Sequence, residues 1–249
     1  MAIIDSKMTE VFLDVAGLRL WTVVQGTGVP VVLCSGGPGC CDYLSPLAEM
    51  LDELCQVVRF DHRGCGRSDE TELYTLETCI EDLEAIRQHY GFERWLVFGH
   101  SFGADLALAY SLRHGEHVQG FVCLSGGRIH NDRDWHRIYS ERRDQGLETP
   151  PAQEYPANME VNRQVNESWK QFIKRPSLLV ELSKLDIPGL FIYGAEDIRP
   201  SWPVEQLAQL IPNAELEIFE SAAHQLWIGH EELLRNCLRE FVLKYAQSK

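Results

Sequence analysis

Trp95-Leu96-Val97-Phe98-Gly99-His100-Ser101-Phe102-Gly103 decides the reading of this chain. Trp95 to Phe98 is a short apolar run with the look of a buried strand, and Phe102 to His114 reads as a helix stopped by Gly115. Between them stands a Gly-x-Ser-x-Gly. A serine on a strand-to-helix turn is held in a strained backbone, and the flanking glycines keep side chains out of a turn that tightens around it. The turn lifts the Ser101 hydroxyl above the sheet edge, and the start of the next helix offers unpaired N–H groups to a developing oxyanion.

Outward from this turn, apolar strands alternate with amphipathic helices. Upstream are strands at Val11 to Val15, Leu18 to Val24 and Val31 to Cys34, a helix at Tyr43 to Leu54, a strand at Val57 to Phe60, and a helix at Leu76 to Tyr90 ending at Gly91. Downstream comes a strand at Phe121 to Leu124. After Gly126-Gly127 the pattern breaks, and residues 128 to 186 read as polar, aromatic and irregular. It resumes with a strand at Pro188 to Tyr193, a helix at Val204 to Leu210, a strand at Glu215 to Phe219 and a final helix from Glu231 to Tyr245. This alternation predicts an α/β fold with a mostly parallel sheet covered on both faces. The economical division is a core of 1–127 and 187–249 with 128–186 inserted as a cap, since neither flank has enough strands to close a core alone.

The 249 residues carry 37 acidic and 23 basic side chains, a formal charge of -14. Such a surface repels phosphate backbones and anionic headgroups, so neither nucleic acid nor membrane is an expected partner, and a small-molecule substrate is. Met1 to Glu10 lacks a signal-peptide pattern, and no run approaches the roughly 18 to 20 apolar residues that span a bilayer. The eight cysteines are irregularly spaced and several fall in apolar elements, which predicts free thiols in a reducing, cytoplasmic setting. Neither metal-ligand spacing nor a Gly-Lys-Ser/Thr phosphate loop is present, so no metal and no cofactor is expected. Oligomeric state is not legible.

A serine hydroxyl needs a base and an orienting acid. Asp197, in the turn after Phe191-Ile192-Tyr193-Gly194, is the first choice for the acid, with Glu196 behind it. His224, in the loop after the last strand, is the base, ahead of His230. The second oxyanion donor is expected from Cys34-Ser35-Gly36-Gly37-Pro38-Gly39: Gly37 paired with the N–H of Phe102, or Gly36 in its place.

Gly36-Gly37-Pro38-Gly39, Asp61-His62-Arg63-Gly64-Cys65-Gly66-Arg67-Ser68, Gly99-His100-Ser101-Phe102-Gly103, Gly194-Ala195-Glu196-Asp197 and His224 occur in an order that resembles the α/β-hydrolase superfamily. The glycine loop and the Asp-x-Arg-Gly-x-Gly-x-Ser loop are most similar to the proline iminopeptidase branch. The resemblance implies an eight-stranded sheet, a cap after the sixth strand and a triad of Ser101, Asp197 and His224. Three features depart from that branch: Ser35 replaces a histidine, Gly-His-Ser-Phe-Gly replaces Gly-Gly-Ser-Trp-Gly, and the cap is short.

An aminopeptidase of this branch holds a free ammonium with cap carboxylates. Residues 128–186 contain ten acids and ten bases, so the whole excess of negative charge belongs to the core, although Glu160 or Glu167 could still serve. His100, Trp135, Tyr139, Trp169, Trp202 and Trp227 are the expected pocket residues and point to an apolar acyl site. A serine hydrolase of a small hydrophobic ester, lactone or amide is therefore the leading expectation. A prolyl aminopeptidase is the first alternative, and a ligand-binding hydrolase fold with vestigial turnover the second.

Overall fold

The computed structural model describes residues 8–148 and 150–246, so the reading of Met1 to Glu10 lies, for its first seven residues, outside the described residues. Eight strands form one sheet: β1 Thr9–Val15, β2 Leu18–Gln25, β3 Val29–Cys34, β4 Cys55–Phe60, β5 Trp95–His100, β6 Val118–Leu124, β7 Gly189–Gly194 and β8 Ala214–Phe219. Their order is β1-β2-β4-β3-β5-β6-β7-β8, antiparallel only where β2 pairs with β1 and β4. The expected elements are present, with ends shifted by a few residues. The first helix, α1, spans Ser45–Leu51 rather than Tyr43 to Leu54, and β6 begins at Val118 rather than Phe121.

The central strands are apolar on both faces, because helices cover both. Val32 and Cys34 of β3, Trp95 and Val97 of β5, and Phe121 and Cys123 of β6 face a core shared with α2 (Leu76–His89), α3 (Phe102–Arg113) and α7 (Trp202–Leu210). Their neighbours Val31 and Leu33, Leu96 and Phe98, and Val122 and Leu124 face the other core, closed by α1 and α8 (Glu231–Tyr245). Alternating side chains thus fill two apolar layers from one sheet, as period-2 geometry dictates.

The stretch 128–186 is not irregular. It holds α4 (Arg133–Asp144), α5 (Met159–Phe172) and α6 (Leu178–Leu182). Asp132 caps α4 by accepting the Trp135 N–H, and Asn158 caps α5 by accepting those of Glu160 and Val161. Polarity hid these helices: α4 buries only Trp135, while α5 buries Val161, Val165 and Trp169 at four-residue spacing along one face. That face packs into the same core as α2.

The loop 61–68 is a brace. Asp61 accepts the N–H of Asp42 at 2.6 Å and the N–H and Nε–H of Arg67 at 2.8 and 2.7 Å, while Ser68 Oγ donates to the Asp61 carbonyl at 2.7 Å. A Cβ on Gly66 would lie 2.3 Å from Asp61 Oδ2, which explains glycine there. Among the described residues no helix is long and apolar enough to cross a membrane. All eight cysteines are free.

Candidate active site

Ser101 sits between β5 and α3 with φ +57° and ψ -121°, a conformation that costs a non-glycine residue energy and persists only where its surroundings enforce it. Here they do. Its N–H donates to the Leu124 carbonyl of β6 at 2.8 Å, and its carbonyl accepts the N–H of Ala104 at 3.0 Å. A Cβ on Gly99 would stand 1.9 Å from the Gly103 carbonyl oxygen, and one on Gly103 would stand 1.9 Å from that of Cys34, so both flanking glycines are obligatory.

Gly37, Ser101 and Phe102 line one cavity of about 250 Å³. The N–H groups of Gly37 and Phe102 reach no acceptor among the described residues, which leaves both for a substrate oxygen. Gly36 is ruled out of that role, because its N–H already donates to Tyr43 Oη at 2.8 Å.

The Tyr43 hydroxyl lies 2.7 Å from His100 Nδ1, and His100 Nε2 lies 2.9 Å from the His224 carbonyl oxygen. The carbonyl can only accept, so Nε2 carries the proton, Nδ1 accepts from Tyr43, and Tyr43 accepts from Gly36. Burial and the neighbouring His224 charge hold the His100 pKa well below the ordinary histidine value, consistent with this neutral tautomer. One directed line of hydrogen bonds thus runs from the glycine loop to the loop carrying His224.

His224 Nδ1 meets Asp197 Oδ2 at 2.6 Å, and both residues are buried. Asp197 Oδ1 accepts the Arg199 N–H at 2.9 Å and lies 3.2 Å from its Nη1. Burial pushes the Asp197 carboxyl up, but the bond to His224, the imidazole charge and Arg199 outweigh it and hold it below the usual carboxylate range. Glu196 is exposed, with no such partner, and His230 lies at the start of α8 with Nδ1 turned to the Ile228 carbonyl. No hydrogen bond joins Ser101 Oγ to His224 among the described residues. The His224 ring stands 4.7 Å from that of His100, the residue before the serine.

Of the expected pocket residues, Trp135 and Tyr139 line the cavity, their rings stacked 5.4 Å apart. The other four do not. Trp169 is buried beneath α5 against Phe172, and Trp202 packs on His130 beside a separate depression. Trp227 lies behind the site against His100 and Tyr43, and His100 is itself 1% exposed. Trp169 and Trp227 were drawn into the two cores by their area, while Trp202 stays half-buried outside them. The rest of the wall is polar: Ser125, Arg128, Asn162, Asn166, Tyr193 and Arg199. Two signals pointed there, namely the end of β6 at Arg128, since ligands gather at the carboxyl ends of parallel strands, and the four-residue spacing of Asn162 and Asn166 on α5.

Residues 29–154, just over half of the chain, match the alpha/beta hydrolase fold family. The chain is 39% identical over 108 residues to a proline iminopeptidase of Saccharolobus solfataricus, a match covering 41% of this chain and 35% of that protein's length. It is 26% identical over 275 aligned positions to a proline iminopeptidase of Heyndrickxia coagulans, covering 90% of this chain and 95% of that one. Among solved structures, a thermophilic esterase from Thermogutta terrifontis superposes with a TM-score of 0.77 at 20% identity, covering 96% of this chain and 99% of that one. The sheet order, the serine turn and these likenesses agree, and the chain belongs to the alpha/beta hydrolase fold family.

Proposed function

We propose that the protein is a cofactor-independent serine hydrolase that cleaves a small ester, lactone or amide through an acyl-enzyme. The observation that carries this reading is the strained turn that presents Ser101 to a cavity shared with the unpaired N–H groups of Gly37 and Phe102, with the hydrogen-bonded His224–Asp197 pair set against His100, the residue before the serine. Ser101 Oγ attacks the substrate carbonyl and His224 takes its proton. The oxyanion is held by the N–H groups of Gly37 and Phe102. His224 then returns the proton to the leaving group and activates the water that releases the acyl group. Asp197, fixed by Arg199, keeps the His224 Nδ1–H tautomer and stabilises the imidazolium. Residues 128–186 act as the cap, and the free thiols favour a cytoplasmic setting.

The named relatives favour a second reading, an aminopeptidase for N-terminal proline. Against it, no carboxylate lines the cavity among the described residues. Glu160 and Glu167 instead pair with Arg163 and Lys170 on the exposed side of α5. The test is release from p-nitrophenyl acetate and from prolyl p-nitroanilide by the wild type and by Ser101→Ala. Ester turnover that falls by at least about 10³-fold in Ser101→Ala is expected. Equal turnover by the variant overturns the mechanism, a single burst without turnover favours a binding role, and efficient cleavage of the anilide favours the aminopeptidase.

A further inference from the structure

The polar wall of the cavity is not used by the mechanism above. Arg128 follows Gly126-Gly127 at the carboxyl end of β6, where Asp105 Oδ1 accepts the N–H groups of Gly127 and Arg128 at 2.9 and 2.8 Å and fixes the path of the chain. Its guanidinium pairs with the buried Asp105, Nη2 standing 3.6 Å from Oδ2, and lies 5.3 Å over the Trp135 ring. The pair engages one edge of the guanidinium, and no other acceptor is in reach of it among the described residues, so the remaining N–H donors of its planar fork are left for whatever enters the cavity. Arg199 is different: its guanidinium is committed to Glu148 at 2.6 Å and Asp197 at 3.2 Å.

Ser125 is an independent sign of a ligand. It directly follows β6, is 2% exposed, holds a left-handed backbone at φ +49° and lines the same cavity as Ser101. Its hydroxyl has no hydrogen-bond partner among the described residues. A buried hydroxyl without a partner and a left-handed non-glycine residue are both unfavourable, and both lie where a ligand could supply the missing bond. The ionisable side chains on the wall are two arginines and two tyrosines, and burial pushes the Tyr193 phenol far above its ordinary value, so it stays neutral.

We infer that the substrate carries a carboxylate, seated on the Arg128 guanidinium with the Ser125 hydroxyl as a further donor. The substrate class is then a half-ester or half-amide of a small dicarboxylic acid, or a lactone that bears a carboxylate. A two-oxygen anion matches the arginine fork, whereas an ammonium would find no carboxylate on the cavity wall among the described residues. For cleavage, though not for binding, the inference rests on the serine-hydrolase reading.

The monomethyl and dimethyl esters of succinic, glutaric and adipic acid differ in one charge, and methanol release gives kcat/KM for each. The wild type is expected to prefer the monoester at one or more chain lengths. Arg128→Gln is expected to lower the monoester-to-diester ratio about 10- to 100-fold, and Ser125→Ala about 3- to 10-fold. Preference for the diester at every length, or a ratio unmoved in both variants, overturns the proposal. If Arg128→Gln does not fold, the wild-type ratio and Ser125→Ala decide. Calorimetry of glutarate with Ser101→Ala separates binding from chemistry. Glutarate binding lost on adding Arg128→Gln, with no ester cleaved by the wild type, supports the seat and sinks the hydrolase reading. Diester cleavage with no glutarate binding sinks the seat and leaves the hydrolase standing.

Discussion

His100 and His62 are buried histidines whose pKa values lie below the ordinary 6.5, in each case first because of burial. The native state therefore binds fewer protons than the unfolded chain once the pH drops below 6.5, and stability falls with pH from there until the depressed native values are reached. Each histidine contributes a slope of up to about 1.4 kcal/mol per pH unit. Asp42, Asp82 and Asp105, raised by burial, act with the opposite sign. The difference between wild type and His100→Gln isolates one histidine: urea midpoints from pH 8 to 5.5 should fall less steeply for the variant. Parallel curves would mean that His100 protonates freely in the native state. At this scale the serine turn was legible because glycine spacing is local. Ser125 and Arg199 were not, since their roles depend on strands and loops that meet only in the folded chain.

Among the elements, α5 sets the shape of the glycine loop. Asn158 N–H donates to the Gly39 carbonyl at 2.8 Å, and Asn162 Nδ2 reaches the carbonyls of Pro38 at 2.7 Å and Gly37 at 3.3 Å. Asn162→Ala should therefore lower kcat about 10-fold while moving Tm by no more than about 3 °C, because the lost bonds orient a loop rather than hold the core. A fall in Tm with unchanged kcat would assign Asn162 to stability alone. The strands and core helices were readable from period and turn residues. The helices between β6 and β7 escaped because Pro150-Pro151, Pro156 and dense charge obscured the spacing of Val161, Val165 and Trp169.

For the molecule as a whole, the sheet order makes β6 an interior strand flanked by β5 and β7, although β7 follows it only after the long excursion through α4, α5 and α6. A chain ending at residue 186 keeps Ser101 but leaves β6 an open apolar edge. Such a chain should be insoluble on expression and inert toward esters. A soluble fragment with cooperative unfolding would show that the sheet is not one folding unit. The alternation of strands and helices revealed the sheet but not its order, because single-sequence periodicity carries no information on which parallel strands are neighbours. The hydrogen-bond line from Gly36 through Tyr43 and His100 to His224 has an evolutionary consequence. The glycine loop and the loop carrying His224, 188 positions apart from Gly36 to His224, cannot drift independently. Substitutions at Tyr43 and His100 will be epistatic, each tolerated only in company with the other, so this pair should covary as a single heritable unit even while the cavity wall is free to change its ligand.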